Sequence, residues 1–294
     1  MRLLTVPNWS FGRSKILLRE FDTILTASSL EIHYLKSDID HNRTVSAFSG
    51  PPQIVIETLF QLCVPAFDTI DLNRHLGVHP RIGALDVCPF LPLLDDDDDK
   101  DLCIDETLKI ADDFAARLSD TFSLPVFMYE KSARPGRIGS LPSLRKEGFG
   151  GLLAHDIDPD FGPNQMHPYL GASVVGVRDF LVAMNINLDS RFPHVAKDMA
   201  SRARKLRMDG DPRFAGVRAL GFALPTLEIS QLSLSLTQPN RTPIDTIVEW
   251  AQNLSRTLGV RFAGTEIIGV IRPRDLEHGT TIHPDKCQVV EGAL

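Results

Sequence analysis

"FLVAMNINLDSRFPHVAKDMASRARKLRMDGDPRFAGVRALGFALPTLEISQLSLSL" (180–236) decides the fold. "FLVAMNINL" (180–188) is a short, mostly apolar run of strand length. A basic helix over 193–207 follows. "VRALGFAL" (217–224) and "LEISQLSLSL" (227–236) read as two hairpin strands. Beyond them "TPIDTIVEWAQNLSRTL" (242–258) is a capped helix with Pro at its start, and "VRFAGTEIIGVIRP" (260–273) is a closing strand. The order is strand, helix, strand, strand, helix, strand. That is a split βαβ unit, an antiparallel sheet covered on one face.

The first half alternates in the same way. Strands are expected at "RLLTV" (2–6), "LEIHYLK" (30–36), "TVSAFSG" (44–50) and "ALDVCPFLPL" (84–93). Helices are expected at 14–28, at 51–70 behind a Pro-Pro start, and at 101–122, with the strand "LPVFMYE" (124–130) after the last. The halves share no close sequence repeat, yet both fit one unit. Residues 131–171 read as a long irregular stretch. The acids of "DDDDDK" (95–100) read as a solvated loop at a helix N-terminus.

The 294 residues carry 31 basic and 38 acidic side chains, a net charge of −7. This excludes nonspecific nucleic-acid binding, which needs a basic surface against phosphates. It allows an anionic small substrate, because local cations focus anions against the global sign. The N-terminus lacks a signal-peptide pattern, and no apolar run reaches the ~18 residues of a membrane span. Cys63, Cys88, Cys103 and Cys287 form no CxxC pair and are expected as buried free thiols of a cytoplasmic protein.

Chemistry concentrates in "RHLGVHPRIGALDVCPF" (74–90). His75 and His79 are four apart, as in zinc helices. Here Leu76 follows the first histidine, Gly77 and Pro80 oppose a helix, and Asp86 is the only further ligand nearby. Two other readings stand beside metal binding. Either the histidines satisfy backbone groups of a loop, or one of them transfers protons near neutral pH.

Five blocks in this order, "VPNWSFGR", "DHNRTVSAFSGPP", "RHLGVHPRIGALDVCPFLPL", "PDFGPNQMHPYLGASVVGVRDFLVAMNINL" and "GTEIIGVIRP", resemble the formiminotransferase family (glutamate formimidoyltransferase) over essentially the whole chain. The resemblance implies an α/β (α+β) fold of two ferredoxin-like split βαβ subdomains, 1–180 and 181–294, sheets covered by helices, with the substrate groove between them. It implies a one-carbon transferase of histidine degradation. The reaction moves a formimino group from N-formimino-L-glutamate to tetrahydrofolate, which serves as co-substrate, with no metal. It further implies a cytoplasmic homodimer with small-molecule partners, and a monofunctional enzyme without a cyclodeaminase domain.

Carried onto this sequence, the resemblance puts the catalytic histidine on His79. It puts folate binding on Gly162, Pro163, Asn164, Gln165, Met166, His167, Pro168, Tyr169, Leu170 and Gly171. Arg43 and Arg81 lie inside family blocks. With Asp38, Asn42, Arg134 and Arg137 they are candidates for the cleft and the substrate carboxylates, Arg suiting bidentate carboxylate binding. The stretch "KSARPGRIGSLPSLRK" (131–146) adds Lys131, Arg145 and Lys146 without an acid; its other reading is a solvated basic loop.

The pattern departs in three places. Lys36 stands where relatives carry Asp, Phe11 where Glu follows the Ser, and Ser235 where Asn is common. The alternatives are therefore a noncatalytic folate-binding paralogue, or a formimino or formyl transferase with another donor. A metal hydrolase built on His75, His79 and Asp86 is the third reading.

Overall fold

The computed structural model describes residues 1–293 and falls into two compact units, 1–179 with the C-terminal residues from Gly292, and 180–291. In the first unit the elements run β1 (Arg2–Thr5), β2 (Asn8–Trp9), α1 (Lys15–Ala27), β3 (Glu31–Asp38), β4 (Arg43–Gly50), α2 (Pro52–Thr69) and β5 (Leu85–Leu93). Then come α3 (Lys100–Phe122), β6 (Val126–Met128), the short helices α4 (Leu141–Leu144) and α5 (Gly148–Leu152), and β7 (Ser173–Val177).

β1 and β2 are one strand, interrupted at Val6 and Pro7. Thr5 pairs Phe48 and Asn8 pairs Val45 on one side, and Thr5 pairs Phe90 and Asn8 pairs Val87 on the other, so the register carries straight through. Pro7 has no N–H to give the ladder, which is why pairing lapses there. Taken as one strand, β1–β2 lies between β4 and β5, with β3 antiparallel on β4. That is the split βαβ order. The sheet then extends past β5 through parallel pairings of β7 with β5 and β6 with β7. β7 lies beyond the stretch read as irregular. Ser173–Val177 is fully buried, and a strand covered on both faces shows no alternation to find.

Helix α1 starts where Ser14 accepts the Leu17 N–H, and buries Leu17, Phe21 and Leu25, four residues apart on one face. These pack with Trp9, Phe48, Phe90 and Phe114 in the main core of the unit. Phe11 joins that core edge-on to Phe21. It occupies the helix-side core, so the departure at residue 11 is a packing change. The acids before α3 act as read: Asp99 accepts the N–H groups of Asp101 and Leu102.

In the second unit β8 (Val182–Leu188), α6 (Pro193–Met208), β9 (Val217–Leu224), β10 (Ile229–Leu236), α7 (Ile244–Thr257) and β11 (Phe262–Ile268) precede the short α8 (Pro273–Leu276). The sheet order is β11-β8-β10-β9, all antiparallel. The chain is thus mixed α and β, with two sheets. Helix α7 begins behind Pro243 without the side-chain cap expected from its sequence; the His278 carbonyl instead accepts the Asp245 N–H (2.9 Å). Cys287 is exposed, whereas Cys63, Cys88 and Cys103 are buried. The expectation of four buried thiols fails at Cys287, where only a one-turn helix surrounds it.

Candidate active site

The loop from His75 to Pro80 is laced to the turn between β3 and β4. The His75 Nε2–H donates to the Asn42 carbonyl (2.8 Å), the Asn42 amide to the Leu76 carbonyl (3.2 Å), and the Val78 N–H to the Asp40 carbonyl (3.1 Å). Gly77 permits this approach: a Cβ there would lie 2.2 Å from the His41 carbonyl oxygen. Asn42, with φ of +46°, also accepts the Gly12 N–H (2.8 Å). Arg81 closes the loop from the other side, donating to the carbonyls of His75 (2.5 Å) and His79 (3.3 Å). Asn42 and Arg81 therefore hold the loop.

His79 Nδ1–H donates to the Pro80 carbonyl (2.9 Å), which leaves the imidazole lone pair on Nε2 in the neutral ring. The His79 and His41 rings meet edge to face at 6.0 Å. His41 is buried, and Asp38 Oδ1 accepts its backbone N–H (2.7 Å) and lies 3.3 Å from its Nδ1. Burial first, then the charges of Arg43, Arg145 and His41, push the His79 pKa well below the ordinary histidine value. Arg43 is itself lowered to about 10, by burial and by Arg145. Burial would raise the Asp38 carboxyl, but hydrogen bonds from His41 and the charges of His41 and Arg43 outweigh it and leave it lowered. The result is a neutral imidazole among cations, a base that needs no prior deprotonation near pH 7.

Arg145 ion-pairs with buried Asp86, whose other oxygen accepts the N–H groups of Ile82 (2.7 Å) and Gly83 (3.3 Å). The other cations of 131–146 serve elsewhere. Lys131 pairs with Asp179, Arg134 with Asp112, and Arg137 with Asp158 and Asp160, while Lys146 is exposed. Of the predicted cleft residues, Asp38, Asn42, Arg43 and Arg81 gather around His79; Arg134 and Arg137 do not. His41 and Arg145 were missing from that set. His41 sits inside the quoted "DHNRT" block and Arg145 inside the basic stretch, but only contact distinguishes them from their neighbours.

The 162–171 segment is stitched to the same region. The Leu72 N–H donates to the Tyr169 carbonyl, the Asn73 amide to the Pro168 carbonyl and the Ala84 N–H to the Leu170 carbonyl, each at 2.8 Å. His167 folds the segment into a tight turn. Its backbone pairs with Gly171, and its Nδ1 accepts the N–H groups of Tyr169 (3.3 Å) and Leu170 (3.1 Å). Met166 and Leu170 are buried, while Tyr169 is exposed. Asn164 uses its carbonyl on the Ile157 N–H, and Gln165 donates to Asp156 (3.4 Å). Gly162 and Gly171 take left-handed backbone, with φ of +87° and +73°. His75 spends Nε2 on a carbonyl, and Asp86 spends both oxygens on Arg145 and the backbone. The described residues contain no group of three metal-ligating side chains.

Fold and site together define an α+β protein with a neutral histidine set among cations. The chain belongs to the formiminotransferase family: residues 2–178 match the formiminotransferase domain, N-terminal subdomain, and residues 183–282 match the formiminotransferase domain. It is 33% identical to glutamate formimidoyltransferase of Streptococcus pyogenes serotype M1, over 90% of this chain and 87% of that one. The enzyme of the same name from Thermoplasma acidophilum is 32% identical, over 90% and 86%. The formimidoyltransferase-cyclodeaminase of Sus scrofa is also 32% identical, over 96% of this chain, which spans 52% of its length. No helix among the described residues is long and apolar enough to cross a membrane.

Proposed function

We propose that the chain transfers the formimino group from N-formimino-L-glutamate to tetrahydrofolate, giving 5-formiminotetrahydrofolate and L-glutamate. The folate N5 attacks the formimino carbon, and a tetrahedral intermediate forms with N5 positively charged. His79 Nε2 takes the N5 proton and gives it to the glutamate nitrogen, and the C–N bond to glutamate then breaks. One imidazole suffices for both transfers. The observation that carries this reading is the His79 Nδ1–H bond to the Pro80 carbonyl in a cationic surround, which presents a neutral base. Membership of the formiminotransferase family supports the substrates.

In this reading Arg43 attracts the substrate carboxylates, and Arg145, paired with Asp86, adds to the charges around His79. Asp38, Asn42 and Arg81 position the loop, and residues 162–171 hold the folate. Arg134 and Arg137, committed to Asp112, Asp158 and Asp160, take no part. The enzyme acts in the cytoplasm as a homodimer, with tetrahydrofolate as co-substrate. Phe11, one of the three departures, lies in the hydrophobic core rather than among the groups around His79.

The test is turnover. Purified protein is mixed with tetrahydrofolate and N-formimino-L-glutamate and acidified, and the near-ultraviolet band of methenyltetrahydrofolate is recorded. Wild type gives the band, and His79→Ala loses on the order of 100-fold or more in rate. Wild-type rates in the variant would sink the assignment of His79.

A further inference from the structure

The turn between β3 and β4 touches the His79 loop at three consecutive residues. The Asp40 carbonyl accepts the Val78 N–H (3.1 Å). The Asn42 carbonyl accepts the His75 Nε2–H (2.8 Å), and its amide donates to the Leu76 carbonyl (3.2 Å). Between these two, His41 meets the loop twice. Its backbone carbonyl lies so close under Gly77 that a Cβ there would clash with it. Its ring stands edge to face against the His79 ring, with centroids 6.0 Å apart and planes at 74°.

His79 sits in an irregular loop. Leu76, Val78 and Pro80 are exposed, and His79 is half-buried. Its Nδ1–H bonds the carbonyl of Pro80, its own neighbour in the chain. That bond selects the tautomer, but it moves with the loop and does not tie the ring to the rest of the unit. His41 is a firmer support. It is 2% exposed. Asp38 Oδ1 accepts its backbone N–H (2.7 Å) and lies 3.3 Å from its Nδ1, so one oxygen reaches both the backbone and the ring of His41. Side chains locked in this way by burial and by a neighbouring acceptor are what hold a reacting group in place.

We propose that His41 is a positioning residue for the base: anchored by Asp38 and by burial, its ring forms the wall that sets the direction of the His79 Nε2 lone pair. The proposal rests on the reading of His79 as the proton-transferring group. Buried, His41 acts through His79 and not on the substrate. The gain is geometric. A proton passes only between atoms within hydrogen-bond reach, and a displacement of about 1 Å costs on the order of 100-fold in rate.

Three variants separate the ring of His41 from its charge and its bulk. His41→Leu fills the space without a ring, His41→Ala empties it, and His41→Phe restores a ring that carries no charge. The Leu and Ala variants are expected to lower kcat at least about tenfold, with the KM for N-formimino-L-glutamate within about twofold, and the Phe variant to return kcat to within about threefold of wild type. The second readout needs no substrate. Nitrogen-15 correlation spectra of the histidine rings at neutral pH show a protonated Nδ1 and a bare Nε2 for wild-type His79. In His41→Leu the two shifts should move towards each other as the freed ring samples both tautomers, while His41→Phe keeps them apart. Thermal melts confirm folding, and the Leu or the Ala variant decides if the other fails to fold. Wild-type kcat with unchanged His79 shifts overturns the proposal. So does a Phe variant as slow as the Leu variant, since the loss then follows the charge and not the ring. Absence of turnover by the wild type overturns the transfer reading itself, and the spectra then decide the role of His41 alone.

Discussion

Asp86 and Arg145, 59 residues apart in sequence, form a buried ion pair, and the free oxygen of the carboxylate gathers the Ile82 and Gly83 N–H groups. The pair links the strand that follows the His79 loop to the end of the basic stretch. It also fixes one of the charges that lower the His79 pKa. Removing one partner strands a charge in a low-dielectric site, which costs about 3–5 kcal/mol. Asp86→Ala is therefore expected to lower unfolding free energy by that amount in urea titrations. Asp86→Asn keeps the size and one acceptor and should lose less.

The pH dependence of catalysis follows from the direction of the His79 shift. A base with a lowered pKa stays neutral, and so active, below the ordinary histidine range. kcat/KM should hold level from pH 8 down through 6.5 and fall only in more acid solution. Replacing Arg43 by Gln removes the first-named of the charges acting on His79. The acid limb should then move to higher pH, whatever the change in KM. A limb that stays in place would deny Arg43 this influence.

Stability responds to His75. Burial first, then the charge of Arg81, lowers its pKa from 6.5 to about 4. Below pH 6.5 the unfolded chain binds a proton that the folded chain refuses, so stability falls as pH drops from 6.5 towards 4. At pH 5 the contribution is about 2 kcal/mol against folding. Relative to wild type, His75→Gln should gain about that much between pH 7 and pH 5 in paired denaturation curves. The glutamine amide can still donate to the Asn42 carbonyl.

Gly171 is the tightest point between the 162–171 turn and the strand start. A Cβ there would lie 1.9 Å from the Ile82 carbonyl oxygen, on a backbone with φ of +73°. Gly171→Ala should cost at least about 1–3 kcal/mol of stability from the backbone alone. It should also disturb the Ala84–Leu170 and Leu72–Tyr169 hydrogen bonds. Hydrogen exchange at the Leu72 and Ala84 amides would report the loosening.

Much of this protein was legible in its sequence. Alternation and helical period gave the split βαβ order of residues 180–273, because each strand and helix there has one buried face and one polar face. The quoted blocks carried the family resemblance, which the match of residues 2–178 and 183–282 to the formiminotransferase domains bears out. The sequence gives no such pattern for β7, buried on both faces, or for the single interrupted strand made of β1 and β2, whose unity exists only in its two partners.

The site divides in the same way. Composition along the chain showed a basic stretch at 131–146, but ion pairing decided that Arg134 and Arg137 serve acids while Arg145 reaches Asp86. Local sequence made Gly77 and Pro80 a non-helical loop. Only tertiary contact lowers the His79 pKa, through burial and through charges from Arg43, Arg145 and His41 elsewhere in the chain. Sequence determines which side chains are present and which local shapes they prefer. The electrostatic state of each depends on what folding brings within a few ångströms, and that is a property of the tertiary structure alone.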